Sequence, residues 1–408
     1  MKILWLHQHF ATPKGWGSTR PYEFTRRIAA AGHEIDVVCC AGFDDTLQNG
    51  AEIAPGVRVF VGGAAYHTKM SALKKVWSFL RFMFFATCFA VRHAKKYDVV
   101  VASSTPLTIA VSALAAHWLR NARYIFEVRD VWPDAAIEAG VLKNPLLKTL
   151  AFWLEKRAYK HASAIATCST GMTDRVQSKS QKWKFTRRVE TISNCCYLDL
   201  FPRDETQRAL WRGRGLATPQ QTVVLYTGAM GISNAIDELI AAVEATKHDE
   251  NIVWWFAGDG CFANQIKQCG LEKPRSVVFW GAMPKAEIVN LFMAADVNIV
   301  SFIRAPVYYE NSPNKFFDGI AAGLPAVFNR TTWLEPWLKK HGCGFVCDSP
   351  AHMAETLRTI AAMQEEQRRG MSQRARRLAE TEFCCDLLAK KYADFICGST
   401  NDANKIQK

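Results

Sequence analysis

The chain has 408 residues, 49% hydrophobic and 22% charged, which excludes a disordered tail or a disulfide-stapled miniprotein and leaves room for two domains of roughly 200 residues each. Its thirteen cysteines include three adjacent pairs, Cys39-Cys40, Cys195-Cys196 and Cys384-Cys385. Neighbouring residues seldom meet disulfide geometry, so reduced, buried thiols in a cytosolic setting are expected, and no second pair stands at zinc-ligand spacing beside Cys343 and Cys347.

The net charge of +13 is confined to one half. Residues 1–203 hold 28 Lys and Arg against 15 Asp and Glu, whereas the remainder balances at 23 against 23. Such asymmetry asks for an anionic partner on the N-terminal half: a membrane surface, nucleic acid or a phosphorylated substrate. No recognised nucleic-acid module accompanies the basic half, and nucleic acid is not expected as a partner.

From the start, Lys2-Ile3-Leu4-Trp5-Leu6 reads as a buried strand rather than a signal peptide. The turn after it carries Gly15 and Gly17, then Ser18-Thr19-Arg20, before a helix ending near Gly32-His33. Glycines at a strand-to-helix turn let a phosphate approach backbone N–H groups, although the three-glycine dinucleotide fingerprint is absent. Residues 69–96 combine an apolar stretch with Lys69, Lys74, Lys75, Arg81, Arg92, Lys95 and Lys96. The stretch is short for a spanning helix and Arg81 interrupts it, so a helix lying in the headgroup layer is expected, with Trp77, Phe82 and Phe85 toward the acyl boundary. An ordinary core helix capped by lysines is the alternative.

Buried parallel strands are expected at 35–40, 98–102, 123–127 and 164–168, and again at 222–226, 252–256, 277–280, 297–300 and 325–328. This alternation with amphipathic segments predicts an α/β fold of two doubly wound domains, 1–203 and 204–382, with ligands in a cleft outside the strands' carboxyl ends. Residues 383–408 read as a final helix, returning to the first domain, and a polar tail.

Two clusters carry candidate chemistry. Glu127-Val128-Arg129-Asp130-Val131-Trp132-Pro133-Asp134 follows a buried strand, and four charges there either face a polar cleft or pair internally. In Glu310-Asn311-Ser312-Pro313-Asn314-Lys315-Phe316-Phe317-Asp318, with Gly323 after it, Pro313 marks a helix start. Asn314, Lys315 and Asp318 then fall in the first turns, near a dipole end that favours phosphate.

The acid, seven residues, acid pattern followed by Ala321-Ala322-Gly323-Leu324-Pro325 resembles the signature of glycosyltransferase family 4, retaining enzymes of GT-B fold. The likeness extends to Tyr226-Thr227-Gly228, Phe256-Ala257-Gly258-Asp259-Gly260 and Phe279-Trp280-Gly281. Within the family, residues 129–134 and 312–318 are similar to bacterial O-antigen and capsule transferases of the L-fucosamine transferase type. The resemblance implies that Glu310 contacts donor-sugar hydroxyls, that Asp318 holds the ribose diol, and that Gly17 and Gly228 approach the diphosphate. Gly281 to Met283 would line the base pocket, with Arg129 and Asp130 near the reacting carbon. The family's Arg after the position of Gly228 and its Lys near Asn234 are absent. Lys315 is the expected substitute, with Arg20, Arg129 and Arg304 in reserve. Asp318 also stands where the family usually has Glu.

The expectation is a retaining transferase moving a sugar from a UDP-hexose or UDP-N-acetylhexosamine to a polyprenyl-diphosphate-linked saccharide in surface polysaccharide synthesis. It would work at the inner face of the plasma membrane, with no metal or cofactor. A nucleotide-sugar 2-epimerase and a catalytically silent partner subunit are the rival readings.

Overall fold

The computed structural model describes residues 1–15, 18–65, 70–138, 140–202, 205–273 and 276–406. Two compact units result, one from residues 1–193 with 386–408 and the other from 194–385. The expected boundary at 203 therefore moves to 193/194. The segment 194–202 belongs with the second unit because Cys196 pairs its backbone with Phe383 and Cys385 there.

The first unit begins with β1 (Lys2–Leu6), α1 (Arg20–Ala30), β2 (Glu34–Cys39), β3 (Glu52–Ala54) and β4 (Val57–Val61). It continues through α2 (Ala72–His93), β5 (Val99–Ser103), α3 (Ile109–Arg120), β6 (Tyr124–Val128) and α4 (Asp134–Glu138). Then come α5 (Pro145–His161), β7 (Ala164–Thr167), α6 (Thr170–Lys182) and β8 (Arg188–Thr191). The sheet order is β3-β4-β2-β1-β5-β6-β7-β8, parallel except for the short β3. Its central strands are buried on both faces, as near-continuous apolar runs such as Val99-Val100-Val101-Ala102 require.

The second unit runs α7 (Glu205–Arg214), β9 (Thr222–Thr227), α8 (Ile236–Ala245), β10 (Ile252–Ala257), α9 (Ala263–Glu272) and β11 (Val277–Gly281). After α10 (Lys285–Ala294) and β12 (Val297–Val300) come α11 (Pro306–Tyr309), α12 (Asn314–Ala321), β13 (Ala326–Phe328), α13 (Glu335–His341) and β14 (Gly344–Val346). Helices α14 (Pro350–Ala362), α15 (Glu365–Thr381) and α16 (Cys385–Ile406) complete the chain. The six parallel strands are ordered β11-β10-β9-β12-β13-β14, so the chain reverses direction across the sheet beside β9. In both units each crossover helix runs back from one strand's carboxyl end to the next strand's start, and the loops at the carboxyl ends are free to carry function.

Helix α16 packs on the first unit through Tyr392, whose ring meets Trp5 and Phe24 edge-on. Helix α12 buries Phe316, Phe317 and Ile320 and lies close against β12. Gly319 permits that approach, since a Cβ there would sit 2.3 Å from the Asn298 amide nitrogen. Asn298 in turn donates to the Lys315 carbonyl at 2.8 Å.

Helix α2 corrects part of the sequence reading. Ser78, Phe82, Ala86 and Ala90 recur every fourth residue and are buried, Ser78 donating to the Ala64 carbonyl and Phe82 packing on Gly63, while Thr87 meets Ser112 of α3. Phe82 is thus a core residue, and Phe85 is turned inward against Gly62 and Phe89. The exposed apolar side chains of α2 are Leu73, Val76, Trp77, Leu80 and Phe84, flanked by exposed Lys74 and Arg81 and half-buried Lys75. Lys69 lies outside the described residues. Among the described residues no helix is long and apolar enough to cross a membrane, and all thirteen cysteines are free thiols.

Candidate functional site

In the second unit the loops leaving β9 and β10 press backbone to backbone. Gly228 (φ +110°) and Gly258 (φ +151°) adopt conformations that L side chains rarely take, and a Cβ on Gly258 would meet the Gly228 carbonyl oxygen at 1.9 Å. Lys315, on the first turn of α12, reaches this end of β9. Its Nζ stands 3.8 Å from the Tyr226 ring centroid, and a Cβ on Gly228 would lie 3.6 Å from it. The stem of Lys315 is partly accessible, but Nζ is sealed from solvent and has no hydrogen-bond partner among the described residues. Burial pulls its pKa down to about 7. A ring face offsets only part of the lost hydration of an ammonium, so an anion at the Gly228 turn would be strongly stabilised.

Asp318, one helical turn further along α12, is buried and ion-paired with Lys285 at the start of α10. Because Lys285 follows Gly281 and Met283 by four and two residues, this pair ties α12 to the turn after β11. Gly281 (φ +71°) accepts a hydrogen bond at its carbonyl from Gly258 N at 2.8 Å, joining that turn to the β10 loop. Glu310 closes the short helix α11 and is half-buried. Its loop is pinned by Trp333, which donates from Nε1 to the Asn311 carbonyl at 2.8 Å, and by Asn194, which donates to Ser312. Asn314 is exposed. Gly228, Gly281, Met283, Lys315 and Asp318 are thus gathered at the carboxyl ends of β9, β10 and β11. Arg304 donates instead to the Asp348 carbonyl at 3.1 Å.

The first unit holds Arg20, Arg129 and Asp130. Gly17 lies outside the described residues. Arg20 was expected as a donor-binding cation, and the structure corrects this. Its guanidinium is fully buried, with Nη1 donating to Glu127 at 2.6 Å, Nη2 to the Ile192 carbonyl at 2.8 Å and Nε to the Ser193 carbonyl at 3.3 Å. All three nitrogens are engaged, and Glu127 also accepts from the Ser103 hydroxyl. Burial alone would raise the Glu127 carboxyl, but Arg20, Arg129 and Ser103 outweigh it and hold the pKa below its ordinary value.

Arg129 differs from Arg20 in its partners. It donates to His7 Nε2 at 3.1 Å and to the Ser18 hydroxyl at 3.4 Å, and forms no ion pair among the described residues. A guanidinium can only donate, so His7 offers a lone pair and is neutral. Burial first, and Arg129 second, lower the pKa of His7, and the same two causes bring His9 to about 4. Asp130 accepts from the Thr105 hydroxyl at 2.6 Å, while Asp134 joins Lys179 and Arg175 in a separate network. Arg129 and Asp130 therefore sit together at the end of β6, beside the end of β1.

Lys285 and His7 were not singled out from the sequence, and Tyr226 was named only as part of the likeness around Gly228. Only the position of Lys285, at a helix start just after the β11 turn, carried a local signal. Among the described residues no three His, Cys, Asp or Glu side chains stand where they could hold a metal ion together.

Residues 17–195 match the family described as glycosyl transferase 4-like domain, and residues 221–363 match glycosyl transferases group 1. A curated relative, the probable glycosyltransferase WbjE of Pseudomonas aeruginosa, is 24% identical over 297 residues, covering 69% of this chain and 71% of its own. Among solved structures, sucrose-phosphate synthase from Thermosynechococcus elongatus aligns with a TM-score of 0.75 at 17% identity, over 97% of this chain and 98% of its own. Anabaena Alr3699/HepE in complex with UDP-glucose aligns at 0.68 and 15%, over 98% and 100%. WaaG, a glycosyltransferase involved in lipopolysaccharide biosynthesis, aligns at 0.66 and 16%, over 97% and 100%.

Proposed function

Given that this chain is a glycosyltransferase of GT-B fold, we propose that its second unit binds a UDP-hexose or UDP-N-acetylhexosamine at the carboxyl ends of β9, β10 and β11. The observation that carries this reading is the sealed, unpartnered Lys315 ammonium against the Gly228 turn. A diphosphate there supplies the missing counter-charge, and the N-terminal turn of α12 adds its dipole. Asp318, held by Lys285, takes the ribose diol, and Glu310 takes hydroxyls of the donor sugar. HepE, of the same fold, was crystallised with UDP-glucose, which accords with a uridine nucleotide.

The acceptor belongs to the first unit, with its 31 Lys and Arg against 17 Asp and Glu. We assign it the chemistry of a polyprenyl-diphosphate saccharide in surface polysaccharide synthesis, brought by a membrane at the cytoplasmic side on which the exposed face of α2 rests. The involvement of WaaG, of the same fold, in lipopolysaccharide biosynthesis accords with this reading. Transfer proceeds with retention, as in transferases of the L-fucosamine type. The bond from the anomeric carbon to the diphosphate oxygen breaks, and the acceptor oxygen bonds to that carbon on the same face. The acceptor's proton passes to the leaving phosphate, and the nucleoside diphosphate departs. Arg129 and Asp130 orient the acceptor hydroxyl, and Lys315 stabilises the charge that grows on the leaving group.

Release of nucleoside diphosphate from a panel of activated sugars, with and without a polyprenyl-diphosphate saccharide, tests this. Release that requires the acceptor is expected. An epimerised donor without acceptor would identify a 2-epimerase, and absence of nucleotide binding a silent subunit.

A further inference from the structure

Helix α5 presents an exposed apolar stripe that the activity of the second unit does not use. Leu146, Leu150 and Trp153 recur at helical spacing, with Leu147 beside them, and Leu146 is 75% exposed. The only acid of the helix, Glu155, is buried and paired with Lys179. Its accessible charges are all positive: Lys148, Lys156, Arg157 and Lys160, with Arg157 stacked over Trp153 at 5.6 Å. Helix α2 repeats this chemistry. It contains no acid, its stripe is Leu73, Trp77, Leu80 and Phe84, and Arg81 stacks over Trp77 at 5.9 Å.

The topology aligns the two stripes. Helices α2 and α5 both pack against α3 on one face of the first unit's sheet. All three run back from strand carboxyl ends, and their C-termini meet. Arg120 at the end of α3 donates to the Val91 carbonyl near the end of α2, and Trp118 of α3 touches His161 at the end of α5. Both stripes occupy the N-terminal halves of their helices. They therefore lie at the same end of the sheet as Arg129 and Asp130, whereas Trp118 and Leu119 lie at the other.

We infer that α5 and α2 together form a two-helix seat for an anionic lipid bilayer, with α5 as its second anchor, so that the strand-end loops of the first unit meet the membrane. Indole rings backed by arginines suit the headgroup boundary, leucines suit the acyl region, and a surface without accessible acids selects anionic lipid. This seat rests on the proposal that the acceptor is lipid-linked, and it places the polar residues of β6 where a head group leaves the bilayer.

Flotation of the full chain with phosphatidylcholine vesicles, with and without phosphatidylglycerol, tests it. The unaltered chain is expected to float with the anionic vesicles alone. A Leu146→Ser/Leu150→Ser variant should lose about tenfold in partitioning, as should Leu73→Ser/Trp77→Ser, while Trp118→Ser changes little. Thermal melting confirms that each variant is folded. If the α5 variant floats like the unaltered chain while the α2 variant does not, the inference fails and the lipid-linked acceptor stands. If the unaltered chain does not bind anionic vesicles, both fail. If the α5 variant loses self-association in sedimentation equilibrium but keeps vesicle binding, the stripe is an interface between copies.

Discussion

The two units handle positive charge in opposite ways. The first carries 31 Lys and Arg against 17 Asp and Glu, yet its most buried arginine, Arg20, is consumed by Glu127 and two backbone carbonyls. The second carries 20 against 21, yet it buries one ammonium, that of Lys315, with no counter-charge. Net charge locates the surface that attracts an anion from a distance, whereas an unspent buried charge locates the atom that receives it.

The sharpest way to break that contrast is at Arg20. Arg20→Met leaves the Glu127 carboxylate buried without its partner and should cost about 3–5 kcal/mol in denaturant unfolding, with UDP affinity of the folded protein unchanged. Loss of UDP affinity at unchanged stability would return Arg20 to the donor site. In the second unit, Glu310→Gln should lower turnover by roughly 10²- to 10³-fold, because the amide removes the charge and replaces one of the two acceptor oxygens offered to the sugar hydroxyls with a donor. A near-normal rate in steady-state kinetics is incompatible with the role given to Glu310.

Lys315 gives two effects of opposite sign. Its folded pKa of about 7 lies below the unfolded value of about 10.4. The unfolded chain therefore binds more protons between those values, and the penalty on the folded state is full below pH 7 and vanishes by the upper limit. Lys315→Met should accordingly stabilise the nucleotide-free protein by roughly 2–5 kcal/mol at pH 6 and by almost nothing at pH 10.5, read by thermal melting. The same variant should lower kcat/KM for the donor about tenfold to a hundredfold at pH 6.5 and abolish its decline as pH rises through 7. The smallest and most local test compares two phenylalanines on α2. Phe82→Ala should cost about 3–4 kcal/mol, whereas Phe84→Ala, on the exposed face, should stay within about 0.5 kcal/mol and weaken vesicle binding alone.

Much of this was legible in the sequence wherever a signal was local. The central strands read as apolar runs, and Val297–Val300 was placed to the residue. Gly323 ends the α12 turn with φ +78°, as a glycine after a helix should. Lys315 was legible because the cations usual after Gly228 are missing, which leaves one basic residue on the acidic signature itself. The edge strands β3, β8 and β14, and β4 beside β3, were missed, since short segments with few buried residues carry little periodicity. The facing of Phe82 and Phe84 was illegible because aromatic residues surround α2 on every side, and only tertiary packing, such as that of Phe82 on Gly63, decides which are buried. The Lys285–Asp318 and Arg20–Glu127 pairs span 33 and 107 residues, distances over which one sequence holds no pairing information.

The most direct measurement is the proton balance of UDP binding at pH 8, from titration calorimetry in buffers of different ionisation enthalpy. At that pH a lysine with a pKa of about 7 is mostly neutral, and a diphosphate beside it restores the charge. Net uptake of a large part of one proton per UDP is expected, and none in Lys315→Met. Binding of UDP without proton uptake, or with the same uptake in Lys315→Met, would show that the diphosphate lies away from this ammonium.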